Sequence, residues 1–93
     1  MSEELKDYPA ILEPTSEGYS VYFPDLPGAV SAGYDSENAI NNAEECLSFH
    51  LQGMLEDNEI FPEPTHLLKL EKELSKGEKA VMIHPSTYLI KHR

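Results

Sequence analysis

The sequence predicts a small α+β domain in which an antiparallel sheet of three or four strands carries its main helix on one face. Three observations indicate this fold class. Short aromatic and β-branched runs, separated by turn-forming residues, fill the first third of the chain and are typical of strands. Apolar residues at spacings of three and four then mark an amphipathic helix. One more β-rich run lies near the end, which gives the order β-β-β-α-(α)-β.

The first two strands are predicted at residues 8–12 (YPAIL) and 19–23 (YSVYF), joined by the turn formers of residues 13–18 (EPTSEG). Together they form a hairpin. Side chains alternate across a strand, so Tyr22 lies on the opposite face from its neighbours in the second strand. The residues that share the other face are Tyr19, Val21 and Phe23.

Residues 24–28 (PDLPG) hold two prolines and a glycine, which excludes a helix or a central strand there. A third short strand is expected at residues 29–34. A long helix then begins with Asp35 or Ser36 as N-cap and runs to about residue 55 or 56. Its apolar stripe consists of Ile40, Ala43, Leu47, Leu51 and Met54, widened by Ala39 and Cys46.

The remaining chain is predicted to hold a short second helix at residues 66–74 and a last strand at residues 79–84. Tyr88, Leu89 and Ile90 either extend that strand or pack on a neighbour. We expect one domain over residues 1–93, with its core in residues 8–84 and a tail at residues 85–93.

The charge is unevenly distributed. Residues 1–65 hold fourteen acidic residues and one basic residue, Lys6, whereas residues 66–93 hold three acidic and six basic residues. An acidic body repels phosphate backbones, so no direct DNA binding is expected. It attracts a basic partner instead, or serves only to keep the protein soluble.

Several function classes lack the residues that they need. No apolar run reaches the ~18 residues of a membrane-spanning helix, and the polar N-terminus is no signal peptide. A single cysteine agrees with a reducing compartment, so a cytoplasmic location is expected. Cys46 and His50 have ligand spacing, yet no second ligand pair stands nearby. We expect no metal, no cofactor and no catalytic residue.

Aromatic residues indicate a contact surface. Tyr19 and Phe23 share one face of the second strand, and Tyr22 lies on the other. If the helix covers one face of the sheet, the aromatic side chains on the opposite face are exposed unless something packs against them. The covering molecule is then a different protein or a second copy in a homo-oligomer.

Four motifs occur in a fixed order: YPAI at residues 8–11, GYSVYFPDLPG at residues 18–28, a segment at residues 35–45 and PEPT at residues 62–65. The third segment contributes Asp35, Ser36, Ala39, Asn42, Ala43, Glu44 and Glu45. In this combination, about two-thirds of the chain resembles the N-terminal domain of the HicB antitoxin family.

The resemblance implies a domain likened to a partial RNase H or ferredoxin-like unit, which forms oligomers and neutralises HicA, a small basic RNase. Many members carry a C-terminal DNA-binding domain. The chain reaches Arg93 without one, so we expect a solitary domain without operator binding.

Two functions stay open. The first is an antitoxin-type protein that neutralises a HicA-like basic toxin by direct binding. The second is a phage or mobile-element module whose oligomer traps a small metabolite or nucleotide signal. The residues predicted to contact a partner lie in the hairpin and the turns that follow it: Glu13, Glu17, Tyr22 and Asp25.

Overall fold

Four strands and two helices follow one another in the computed structural model, which describes residues 5–86. They are β1 (Tyr8–Thr15), β2 (Gly18–Tyr22), β3 (Val30–Gly33), α1 (Ser36–Glu56), α2 (Leu67–Glu71) and β4 (Lys79–Ile83). The predicted α+β class and element order are confirmed. The expectation for Tyr88, Leu89 and Ile90 lies outside the described residues.

The strands form one four-stranded antiparallel sheet in the order β3-β2-β1-β4. β1 is therefore a central strand, with β2 on one side and β4 on the other. No helix in the described part of the chain is long and apolar enough to cross a membrane.

The hairpin of β1 and β2 is tighter than predicted, because β1 continues through Pro14 to Thr15 and leaves a turn of two residues. The sequence predicts Pro14 to lie among the turn formers of residues 13–18. β4 pairs only with the part of β1 up to Leu12, so Pro14 has a single neighbouring strand. A residue without an amide is tolerated where one side of the strand needs no hydrogen bond.

Gly18 makes this tight turn possible. Its φ of 143° is rarely adopted by other residues, and an added Cβ would lie 2.2 Å from the carbonyl oxygen of Gly33. The start of β2 can therefore lie directly beside the end of β3.

The core lies between α1 and the sheet. Tyr8, Ala10, Leu12 and Val21 are buried on the sheet face toward α1, as the alternation predicts. The helix residues buried against them are Ala39, Ala43, Leu47 and Leu51. The predicted helical stripe is confirmed in its centre, while Ile40, Cys46 and Met54 are only partly buried at its margins.

α1 begins where the sequence predicts. The Asp35 carboxylate accepts a hydrogen bond from the amide of Asn38 at 2.8 Å, which satisfies one of the free donors of the first turn. Gly33 lets β3 approach the helix, because an added Cβ would lie only 2.3 Å from the Ala39 amide nitrogen.

α2 is shorter than the predicted residues 66–74. His66 caps it, and the helix ends at Glu71, with Lys72 as its C-cap. None of its five residues is buried, so little packing supports further turns, and short helices are marginal without such packing. α2 lies beside β4.

The segment between the helices is fixed to the core. Phe61 is buried, and the Tyr8 hydroxyl donates a hydrogen bond to the carbonyl oxygen of Pro62. After β4, the amide of Ser86 donates to Oγ of the buried Ser48 in α1 at 2.6 Å.

Candidate protein-binding face

The sheet face opposite α1, called the second face below, is apolar along one line. Val30, Tyr22, Ile11 and Ala80 are direct cross-strand partners, so their side chains point to the same side of four successive strands. With strands ~4.8 Å apart, the line crosses the whole sheet in about 15 Å.

Exposure along this line is uneven. Ile11 is only 2% exposed and forms the floor, whereas Tyr22 is 37% and Val30 66% exposed. Met82, two residues beyond Ala80 on the same face of β4, is 42% exposed. We call Tyr22, Val30 and Met82 the apolar patch.

Two carboxyl groups lie beside the patch. Glu13 follows Ile11 on the same face of β1, and Glu78 immediately precedes β4. The Ser75 amide donates to Oε1 of Glu78 at 2.7 Å, which fixes that side chain. A hydrogen bond between the two carboxyl groups is the main cause that raises the pKa of Glu13, followed by desolvation and by the charge of Glu78.

Tyr22 belongs to the same local environment. Partial burial is the main cause that raises the pKa of its hydroxyl, and the charges of Glu78 and then Glu13 add to it. An aromatic ring and two acidic groups from three strands or strand ends are therefore held together on the second face.

The nearest basic residue in sequence points elsewhere. Lys79 pairs with Leu12 and lies on the α1 side of the sheet, where its Nζ is 5.4 Å from the centre of the Tyr19 ring. Among residues 5–86, neither Glu13 nor Glu78 takes part in an ion pair. No basic side chain of the described residues therefore neutralises the negative charge of these two carboxyl groups.

The four residues predicted as partner contacts lie in three places. The structure brings Glu13 and Tyr22 together on the second face. Glu17 is exposed in the two-residue turn, where its amide donates to Oγ1 of Thr15.

Asp25 has a different environment, because it is half-buried and its carboxylate accepts from both the amide (2.8 Å) and the hydroxyl (2.6 Å) of Thr65. Its carboxylate thus fixes the PDLPG loop to the segment before α2.

Sequence reasoning missed Glu78. Residues 75–78 read only as a turn, and the turn signal says nothing about the pairing partner of the strand that follows. The signal lies in the strand register. Leu12 of β1 pairs with Lys79 of β4, so Glu13 and Glu78 are the next residues opposite one another.

A shallow cleft lies beside the turn that joins β1 and β2. It has a volume of about 460 Å³ and is open to solvent. Tyr19, Tyr34 and Glu17 are among the residues that line it.

Possible metal ligands and the Cys46 thiol were the remaining candidate groups among the described residues. No group of three or more His, Cys, Asp or Glu side chains between residues 5 and 86 could hold a metal ion. Burial raises the pKa of the Cys46 thiol, and its Sγ donates to the carbonyl oxygen of Val30 at 3.4 Å. Cys46 therefore stays a neutral thiol at neutral pH.

Comparison with known proteins gives one consistent family. A family model described as the HicB_like antitoxin of bacterial toxin-antitoxin systems matches residues 8–87. The chain is 36% identical over 80 residues to antitoxin HicB 1 of Photorhabdus laumondii, covering 83% of this chain and 52% of that protein. It is 49% identical over 55 residues to a 14.9 kDa protein from the rep-hol intergenic region of Haemophilus phage HP1, covering 59% of this chain and 41% of the relative.

Solved structures share the fold. The Burkholderia pseudomallei antitoxin HicB superposes with a TM-score of 0.78 at 20% identity, over 96% of this chain and 70% of that one. A chain of a HicA3 and HicB3 toxin-antitoxin complex gives 0.69 at 25% identity, over 87% of this chain and 99% of that one. The chain spans 41% to 59% of the length of the curated relatives.

Proposed function

Because the chain belongs to the HicB-like antitoxin family, we propose that it is an antitoxin that binds a small basic toxin of the HicA type and neutralises it. The observation that carries this proposal is the family match over residues 8–87, which includes the whole sheet and both helices. A relative of the same fold occurs in a complex of HicA3 with HicB3.

Charge supports the same partner. Fourteen of the seventeen acidic residues lie in residues 1–65, against Lys6 as the one basic residue there. Oppositely charged surfaces accelerate encounter and favour the correct orientation, and this contribution weakens as salt screens it.

The proposed action requires no catalysis by the antitoxin itself. It is sufficient for neutralisation that the bound antitoxin shields the toxin surface from RNA. Formation of the antitoxin–toxin complex lowers the concentration of free toxin by mass action. We propose that the protein acts in the cytoplasm, where an RNase toxin meets its substrate and a single cysteine stays reduced.

The test uses a short basic reading frame that we expect to find beside the gene of this protein. Its product is purified and its cleavage of RNA is measured with increasing amounts of the antitoxin. We expect inhibition that saturates at a fixed molar ratio and weakens as salt rises. An unrelated acidic protein of similar size and net charge is the control. Undiminished RNA cleavage in a molar excess of the antitoxin would contradict the proposal.

We also propose self-association. Phe49 on α1 and Ile60 after it are 56% and 82% exposed, and large exposed apolar side chains often mark contacts between subunits. Sedimentation of the purified protein measures this directly, and a monomer at all concentrations would refute it.

A second candidate function has one supporting observation, the cleft between Tyr19 and Tyr34. Its volume of about 460 Å³ lies in the range of small-molecule sites, and two tyrosines can stack on a planar ligand. In this alternative, the protein is a phage or mobile-element module that traps a nucleotide or metabolite. A thermal shift panel of nucleotides tests it, since a tight ligand raises the melting temperature. No shift with any nucleotide would contradict it.

A further inference from the structure

The second face combines two features that a protein contact needs. The apolar patch offers surface to be buried, and the Glu13–Glu78 pair beside it offers charge. The core of a typical interface is apolar, with polar groups around it that select the partner.

We propose that the apolar patch (Tyr22, Val30, Met82) and the Glu13–Glu78 pair form the surface that receives the toxin. An arginine or lysine of the toxin lies against the two carboxylates while its apolar residues cover Tyr22 and Val30. This inference rests on the proposed function and adds the place of contact.

The position of the carboxylates favours a cationic group. Glu78 is fixed by the Ser75 amide, so little side-chain freedom is lost when a cation binds there. Two carboxyl groups in contact repel one another when both are charged, and a guanidinium between them replaces this repulsion with attraction and paired hydrogen bonds.

The same charges disfavour a second copy on this face. A twofold dimer uses the same surface patch on both subunits, so the contact would bring two Glu13–Glu78 pairs into one interface. Like charges in a partly desolvated contact cost free energy, and the neighbouring Lys79 cannot compensate because it lies on the α1 side.

The test compares matched substitutions in the 93-residue chain. Glu13→Lys and Val30→Asp alter the proposed surface. Glu45→Lys makes the same charge change at an exposed position of α1, and Leu68→Asp makes a similar apolar-to-acidic change at an exposed position of α2. The dissociation constant for the purified product of the neighbouring basic reading frame is measured for each variant. Circular dichroism and melting temperature show that each variant is folded.

We expect Glu13→Lys and Val30→Asp each to weaken binding about tenfold or more relative to Glu45→Lys and Leu68→Asp. If the wild type binds and all four variants bind alike, the inference is wrong while the proposed function stands. If the wild type does not bind the toxin, the proposed function fails and the inference with it.

Sedimentation of the same variants tests whether a second copy of this chain, and not the toxin, occupies the second face. If Val30→Asp converts an oligomer to a monomer and leaves toxin affinity unchanged, the second face is an interface between copies of this chain, and the inference is overturned.

Discussion

Val21 and Tyr22 are neighbours in β2, yet they lie in opposite environments. Val21 is 2% exposed and packs in the core beneath α1, whereas Tyr22 is 37% exposed beside two carboxyl groups. The two faces of the sheet therefore differ in burial and in charge. The α1 face holds buried core residues, whereas Tyr22, Val30 and Met82 are exposed on the second face, so substitutions on the two faces should affect different measurements.

The largest effect is expected from a truncation on the α1 face. Leu12 is fully buried between Val21, Lys79 and the helix, so Leu12→Ala leaves a cavity and should cost about 2–5 kcal/mol of unfolding free energy. Val30→Ala, on the second face, should cost about 0.5 kcal/mol or less. Urea denaturation measures both, and similar losses for the two variants would show that the second face also carries the fold.

A pair of glycines sharpens the same contrast. Gly33→Ala places a methyl group 2.3 Å from the Ala39 amide nitrogen, so β3 and α1 must separate, at a cost of about 1–3 kcal/mol. Gly53→Ala lies in α1 with no atom within 4 Å of the new Cβ. It should stabilise the protein by about 0.5–1 kcal/mol because alanine favours the helix. A stabilising Gly33→Ala in thermal melts would contradict the close approach.

Asp25 is one of the four predicted contact residues, and substitutions there test whether it stabilises the fold or contacts a partner. Asp25→Ala removes both hydrogen bonds to Thr65 and should cost about 1–2 kcal/mol. Thr65→Val removes only the hydroxyl bond and should cost less. Affinity of the folded variants for the proposed toxin is expected to stay at the wild-type value. A loss of affinity without a loss of stability would instead make Asp25 a contact residue.

The smallest effect concerns the carboxyl pair on the second face. The pKa of Glu13 is raised above its ordinary value of 4.5 by its hydrogen bond with Glu78, by desolvation and by the charge of Glu78, so the folded protein holds the Glu13 proton to higher pH. The folded state thus binds more protons than the unfolded state in that range, and the contribution of Glu13 to stability falls as pH rises through its raised pKa. Melting temperatures from pH 4 to 8 should show Glu13→Gln slightly more stable than the wild type near pH 7 and equal to it at the acidic end. Glu45→Gln, far from the pair, should show no such trend.

Alternation and periodicity were sufficient to predict most of the fold. The opposite orientations of Val21 and Tyr22, the cap at Asp35 and the core positions of α1 follow from local spacing, and the structure confirms them. Local signals also misplaced two boundaries. Pro14 lies inside β1, because β4 begins opposite Leu12 and leaves Pro14 with one neighbouring strand, and α2 ends early for lack of a buried face.

The site depended on contacts that are distant in sequence. Glu13 and Glu78 are 65 positions apart, and only the register of β1 against β4 brings them together. Asp25 and Thr65 meet through the packing of two loops, which no periodic pattern encodes. Residue type made Glu13 and Asp25 equal candidates, and geometry separates them.

The central place of β1 has a consequence for synthesis. This strand pairs on one edge with β2, which follows within a few residues, and on its other edge with β4, whose Ile83 lies opposite Tyr8. While the chain emerges from the ribosome, that second edge stays without a partner until nearly the entire described length has been made. Long-range strand pairing is slow, and an open strand edge is where nascent chains aggregate. A newly made chain should therefore pass through an interval with an exposed, aggregation-prone strand edge, which ends only when β4 is available to complete the sheet.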